Sequence, residues 1–370
     1  MNIVHSDIRR VIVAALFFVL ALTAACTPKT TMTTSTTPAK AVKLVFATQP
    51  LGGEAGSHLV VQPVVTALDA SGKIVSGPRL IVTLSLTDIT PEMHIGIFGA
   101  TTLTSLNGIF SFKEISIDKV GKFTLTASCS GLPSVVSDPI EITPIGGAHL
   151  KFTTTLTRSV GGLALSSQPV VSVMDMYGNV STSSVAQINI GLISVTPDPY
   201  GAKLSGTLAS TAASGVAGFK DVSIDLVGTY VLTASSPGLV PCVSNSFEII
   251  PGAPVKLFFN SQPITTTPGS PLTVMPPTIP VLIQDACGNT VTDSSAEVTI
   301  FLTPNTGTPG AVLSGQLKVN ATTGAACFGD LSVDKLGKGY TLTATSPGLL
   351  TAVSDPFEIT LTPPAIASDE

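Results

Sequence analysis

Two stretches, Ser116-Ile117-Asp118-Lys119 and Ser332-Val333-Asp334-Lys335, place a lysine three residues after a serine, the spacing at which an amine can activate a hydroxyl for acyl transfer. That chemistry needs the serine at the start of a helix. Both stretches lie at strand ends instead, and a third copy of the pattern carries Leu226 where the lysine should be. Beyond the leader, His58, His94 and His149 stand apart from other histidines, cysteines and carboxylates at metal-ligand spacing. Hydrolysis would have to rest on carboxylates alone, and no nucleophile–base pair emerges. The chain reads as a non-enzyme without a cofactor.

A second set of candidates is acidic. Asp69-Ala70-Ser71-Gly72-Lys73, Asp175-Met176-Tyr177-Gly178-Asn179 and Asp285-Ala286-Cys287-Gly288-Asn289 each put a carboxylate before a glycine and a polar residue. Hard oxygen ligands at a domain tip would suit calcium. No second carboxylate sits at ligand spacing, so these read as hairpin turns in which Asp69, Asp175 and Asp285 cap local N–H groups. Asp118, Asp225 and Asp334, each shortly before a glycine, read as acceptors of backbone bonds rather than metal ligands. Glu92, Met93 and His94 read as a solvated loop, and Tyr177 and Tyr200 as loop packing in preference to a recognition tip.

Cysteines offer one further option. Cys129 and Cys242 fall in different repeats without an obvious mate, whereas Cys287 and Cys327 share one repeat and could be bridged in an oxidising compartment. Spacing alone leaves that open, because it says nothing of the Cα separation.

Composition narrows the partners. Net charge is −5, charged residues make up 11%, and no basic cluster occurs, which excludes the electrostatic footprint of a nucleic-acid binder. At the N-terminus Arg9 and Arg10 precede an apolar run, Val11 to Ala25, too short for a comfortable bilayer span and shaped like a signal peptide. It ends in Leu22-Thr23-Ala24-Ala25-Cys26, which resembles a bacterial lipobox with Thr23 where that family usually has Leu. The resemblance implies cleavage before Cys26 and its lipidation; ordinary cleavage after Ala25 would leave Cys26 a plain thiol. Residues 27–40 are Thr-rich and lack apolar periodicity, so they read as a flexible tether reaching about 45 Å when extended.

The elements that must position any of these residues are set by a repeat. Ser116 to Ala127 recurs as Ser223 to Ala234 and again as Ser332 to Ala344, with Asp118, Asp225 and Asp334 about 107 to 109 positions apart. Pro63 to Asp69 matches Pro169 to Asp175 and Pro280 to Asp285, and each copy closes on a similar strand, Ser137 to Ile142, Asn245 to Ile249 and Ser354 to Ile359. The chain therefore divides into a signal peptide (1–26), the tether (27–40), repeats at 41–147, 148–252 and 253–362, and a tail (363–370). Short Val-, Ile-, Thr- and Phe-rich runs between Gly, Pro, Asp and Asn predict all-β structure: in the first copy, strands at 43–50, 59–68, 80–87, 97–104, 109–117, 122–129 and 135–143. Seven strands suit an antiparallel β-sandwich.

Asp225 to Leu232 and Asp334 to Leu342 resemble the tyrosine corner of immunoglobulin-like domains, where a Tyr hydroxyl ties back to nearby backbone. With the Lys256-Leu257-Phe258 to Gln262-Pro263 opening, residues 41–362 resemble bacterial immunoglobulin-like repeats of the invasin and intimin type. The corner residues would be Tyr230 and Tyr340, with Phe123 filling the place by packing alone. The second copy lacks the Gln-Pro of the first strand, Gly339 is inserted in the third, and the chain has no Trp.

That resemblance implies three tandem immunoglobulin-like sandwiches joined end to end and displayed on the outer face of a cell envelope. The expected partners are the membrane, through the lipid anchor, and a surface protein or glycan. The alternative is an envelope-internal ligand-binding or assembly factor stabilised by calcium.

Overall fold

Alternation of apolar and polar residues decides which face of each strand turns inward. In Gly121–Ser128, Phe123, Leu125 and Ala127 are buried while Lys122, Thr124 and Thr126 are not. Gly228–Ser235 repeats the pattern with Tyr230, Leu232 and Ala234. In the third copy the inserted Gly339 adopts φ of 71° and shifts the register between Gly337 and Tyr340. The strand divides there into Gly337–Tyr340 and Leu342–Thr345.

The computed structural model describes residues 40–88, 96–196, 201–272 and 278–362, and every element among them is a β-strand. The leader with Cys26, nearly all of the tether, Glu92, Met93, His94, Tyr200 and the 363–370 tail lie outside the described residues.

Each repeat is a two-layer sandwich. In the first, Lys43–Thr48, Val64–Leu68 and Ile109–Ser111 form one antiparallel sheet. The facing sheet runs Gly53–Glu54, Ile140–Thr143, Gly121–Ser128, Leu80–Asp88, Thr102–Ser105, and Val135–Val136 also pairs with Gly121–Ser128. The second repeat has the same order, with His149–Phe152, Val170–Met174 and Val216–Gly218 in the smaller sheet. The third repeats it in Lys256–Phe259, Ile279–Gln284 and Ala325–Phe328. The chain is all-β and immunoglobulin-like throughout the described residues.

Three separate cores lie between the sheets. Val65, Phe110 and Leu125 belong to the first, Val171, Phe219 and Leu232 to the second, Val281, Phe328 and Leu342 to the third. Each such side chain contributes about 1.5–3 kcal/mol when fully buried.

Several predicted strands are shorter than the apolar runs suggest. The expected strand 59–68 forms only over Val64–Leu68, after Pro63, which has no N–H to give the ladder. The expected 109–117 strand breaks into Ile109–Ser111 and Ser116–Ile117 around Glu114, at φ of 60°. The 135–143 strand breaks at Ser137, Asp138 and Pro139.

The Cys287–Cys327 bridge is not formed, and both thiols are free. Cys327 sits opposite Pro280 on the neighbouring strand, whereas Cys287 is in the turn beyond Gln284. At about 3.3 Å per residue that puts them more than ~10 Å apart along the strand, beyond the Cα separation a disulfide spans.

Candidate functional site

The three hairpin turns share one local design. Asp69 Oδ1 accepts the Ser71 and Lys73 amides, both at 2.9 Å. Asp175 Oδ1 accepts the Tyr177 amide at 2.9 Å and the Asn179 amide at 2.8 Å. Asp285 Oδ1 accepts the Cys287 and Asn289 amides, both at 2.9 Å. The carboxylate replaces the hydrogen-bond partners that a reversing backbone would otherwise lack.

The last residue of the turn sets the copies apart. In the second and third, an Asn side chain is held by the same carboxylate: Nδ2 of Asn179 and of Asn289 donates to Oδ2 of Asp175 and Asp285, at 2.9 Å each. The same Nδ2 then reaches the preceding domain, donating to the Asp118 carbonyl at 3.0 Å and the Asp225 carbonyl at 2.8 Å. In return the Val120 and Val227 amides donate to the Asn179 and Asn289 Oδ1 atoms, at 3.4 and 3.0 Å. An amide side chain is suited to this, since it presents one donor and one acceptor side by side to a backbone carbonyl and N–H.

Two further contacts complete each junction. A Cβ added at Gly56 would come within 1.9 Å of the Tyr177 ring, and one at Gly162 within 2.3 Å of the Cys287 sulfur, so each glycine is a seat for the side chain in the middle of the next turn. Both glycines have positive φ, 71° and 76°. Lys119 Nζ donates to the Tyr177 carbonyl at 2.6 Å. The linkers are also pinned: Ser181 Oγ donates to the Ile145 carbonyl at 3.0 Å, and the Gly252 amide donates to Asp285 Oδ2 at 2.9 Å. Asp175, Asn179, Asp285 and Asn289 are all buried. Burial pushes the Asp285 carboxyl up, but the donors from Asn289, Gly252 and Cys287 outweigh it and hold the group below its ordinary range. Burial, with the Asp285 and Asp225 charges, raises the Cys287 thiol, which disfavours its reactive thiolate.

No family model matches the chain, and no curated protein matches it. Solved structures do. They include the Escherichia coli adhesin FdeC, with 15% identity over 87% of this chain and 98% of that one, TM-score 0.34. Yersinia pseudotuberculosis InvD matches with 18% identity over 86% of this chain and 97% of that one, TM-score 0.32. Invasin, a bacterial integrin-binding protein, matches with 14% identity over 85% of this chain and 60% of that one, TM-score 0.28. At these TM-scores the likenesses carry no argument, and the fold rests on the strand order and cores above.

The corners of the first two repeats lie directly against the junctions. Asp118, Asp225 and Asp334 each use Oδ1 to accept a backbone amide, from Gly96 at 3.2 Å, Lys203 at 2.7 Å and Val312 at 2.7 Å. The Tyr230 hydroxyl donates toward the Leu226 carbonyl at 3.1 Å and lies 3.3 Å from that of Val227; the Tyr340 hydroxyl donates to the Lys335 carbonyl at 2.9 Å. Phe123 occupies the same buried place without a hydroxyl. Gly121, Gly228 and Gly337 lie so close to these rings that an added Cβ would meet them at 2.9 to 3.1 Å.

Sequence reasoning locates the turns and corners but misses the contacts that join them. Tyr177, expected to pack within its own loop, is a junction residue. The available signal is the last turn position, Lys73 in the first copy against Asn179 and Asn289 in the others. A second compensation is written in the same way. Gln49 and Gln262 accept the Asp138 and Asp355 amides at 3.0 and 2.9 Å. The second repeat lacks that Gln, and its Asn245 instead exchanges two bonds with the Leu156 backbone, at 2.9 and 2.8 Å.

Proposed function

We propose that the chain is a non-catalytic structural and adhesive module of a cell surface. In this reading a rod of three immunoglobulin-like domains stands off a membrane on the 27–40 tether, anchored by a lipid on Cys26, and meets a surface protein or glycan. The observation that carries it is the double use of one clamp: the Asp175–Asn179 and Asp285–Asn289 turns grip successive corners in the same way, with the linkers pinned beside them. A clamp repeated at both junctions serves a molecule whose role is to keep its domains in line. The non-enzymatic reading is supported by the Asp175 and Asp285 oxygens, which are committed to N–H donors rather than left to activate a water or hold calcium.

Two measurements test this. Small-angle scattering of the chain after Cys26 should give a rod of about 100 Å, from strands of about ten residues rising roughly 3.3 Å each in three domains. A radius of gyration near 20 Å, that of a globule of this length, would refute it. Protease shaving of intact cells should remove the domains, and Cys26→Ala should move the protein from the membrane fraction to the soluble one. Full protection of the wild type from protease would refute surface display.

A further inference from the structure

The receiving half of the clamp is present three times, and among the described residues two copies are filled. In the third repeat the counterpart of Gly56 and Gly162 is Gly269, whose amide donates to the Val333 carbonyl at 2.9 Å as those of Gly56 and Gly162 do to Ile117 and Ile224. Gly269 has the same positive φ, 77°, yet a Cβ added there meets nothing within 4 Å. Pro268 stands where the first repeat has Ala55, so the local surface again carries a Cβ. The corner is equally intact. Asp334 caps its own loop through Val312, leaving its carbonyl and the Leu336 amide in the places of the Asp118 carbonyl and Val120 amide. Asp334 and Leu336 are exposed where Asp118 and Val120 are half-buried. Lys335 matches Lys119, which donates to the incoming turn at the first junction.

We infer that the far end of the third repeat is a docking socket for an Asp-x-x-Gly-Asn turn on another immunoglobulin-like domain. The incoming Asn would donate to the Asp334 carbonyl and accept from the Leu336 amide, and the side chain at mid-turn would rest on Gly269. The occupant is an immunoglobulin-like domain bearing that turn, and the first repeat of this chain does not supply it. The first repeat carries Ser71 at mid-turn and Lys73 in place of Asn, and a lysine ammonium has no acceptor for the Leu336 amide. Ser71 and Lys73 therefore also weaken head-to-tail stacking of copies of the chain. This inference rests on the junction geometry and not on surface display, so failure of either leaves the other standing.

The test is an amide-resolved NMR titration of the labelled chain after Cys26 with an unlabelled Ser71→Tyr/Lys73→Asn chain, to about millimolar concentration, since docking in trans lacks the effective concentration a linker gives. Saturable shifts of the Gly269 and Leu336 amides are expected. Unaltered wild-type titrant should bind about fivefold more weakly or worse, the effect of roughly one lost hydrogen bond. Gly269→Asn in the labelled chain, a residue that tolerates positive φ, should abolish the shifts. Lys73→Asn alone serves as titrant if the double variant melts earlier than wild type. Unmoved Gly269 and Leu336 amides with a folded titrant would overturn the socket. So would shifts that persist in Gly269→Asn. Equal shifts from the wild-type chain would overturn the requirement for asparagine.

Discussion

The turn at Asp69–Lys73 and the turns at Asp175–Asn179 and Asp285–Asn289 have the same backbone hydrogen bonds and different surroundings. In all three the carboxylate closes the reversal. At the first, Lys73 is exposed; at the others the Asn is buried against a preceding domain. The aspartate thus belongs to the hairpin, and the asparagine belongs to the junction. One five-residue motif contains a local device and a long-range one.

The largest difference should come from removing the carboxylate. Asp285→Ala leaves the half-buried Gly252 and Cys287 amides and the buried Asn289 amide without their acceptor and should cost about 3 kcal/mol, visible as early melting of one transition in calorimetry. Asp69→Ala, whose donors can turn to water, should shift melting no more than an ordinary surface substitution. Equal effects would remove the distinction between the turns.

Next, Asn179→Ala with Asn289→Ala should leave the sandwiches folded and cost about 1–2 kcal/mol of coupling at each junction. The result should be a broader spread of interdomain angles in residual dipolar couplings, without loss of β-structure. Lys73→Asn, by contrast, should change neither stability nor shape of the isolated chain.

A smaller effect concerns the corners beside these junctions. Tyr340→Phe should cost about 1 kcal/mol, read by denaturant unfolding, because one hydroxyl bond to Lys335 is lost while the ring remains. Phe123 shows that the first repeat packs its corner without that bond.

The smallest is a pH effect. The Asp285 carboxyl is held below its ordinary value, so its contribution is fully present above pH ~4 and is lost as pH falls through the lower folded value. Asp285→Asn should flatten the acid side of the stability curve of the third repeat. An unchanged acid slope would show that the buried carboxylate is not the titrating group.

The third repeat shows where sequence reading stops. Inserting Gly339 reads as a departure from pattern, and the structure absorbs it as a register shift that leaves Tyr340 and Phe357 stacked, ring centroids 5.8 Å apart. The serines before each closing strand illustrate a different limit. Ser137, Ser244 and Ser354 each accept the amide of a core leucine at 2.9 Å, a role the repeated Ser marks by position but does not explain.

By itself the sequence determined the features that depend on neighbours along the chain: β-strands from period-2 burial, turns from Asp and Gly, and a period of about 107 residues from recurring landmarks. Tertiary structure alone decided the contacts between residues some 60 to 120 positions apart. It placed Asn179 on Asp118, Asn289 on Asp225 and Tyr177 on Gly56, and it kept Cys287 from Cys327. The physical reason is that a hairpin carries its own hydrogen-bond partners, whereas a junction residue is specified by a carbonyl and an amide that only the packing of the preceding domain brings within reach.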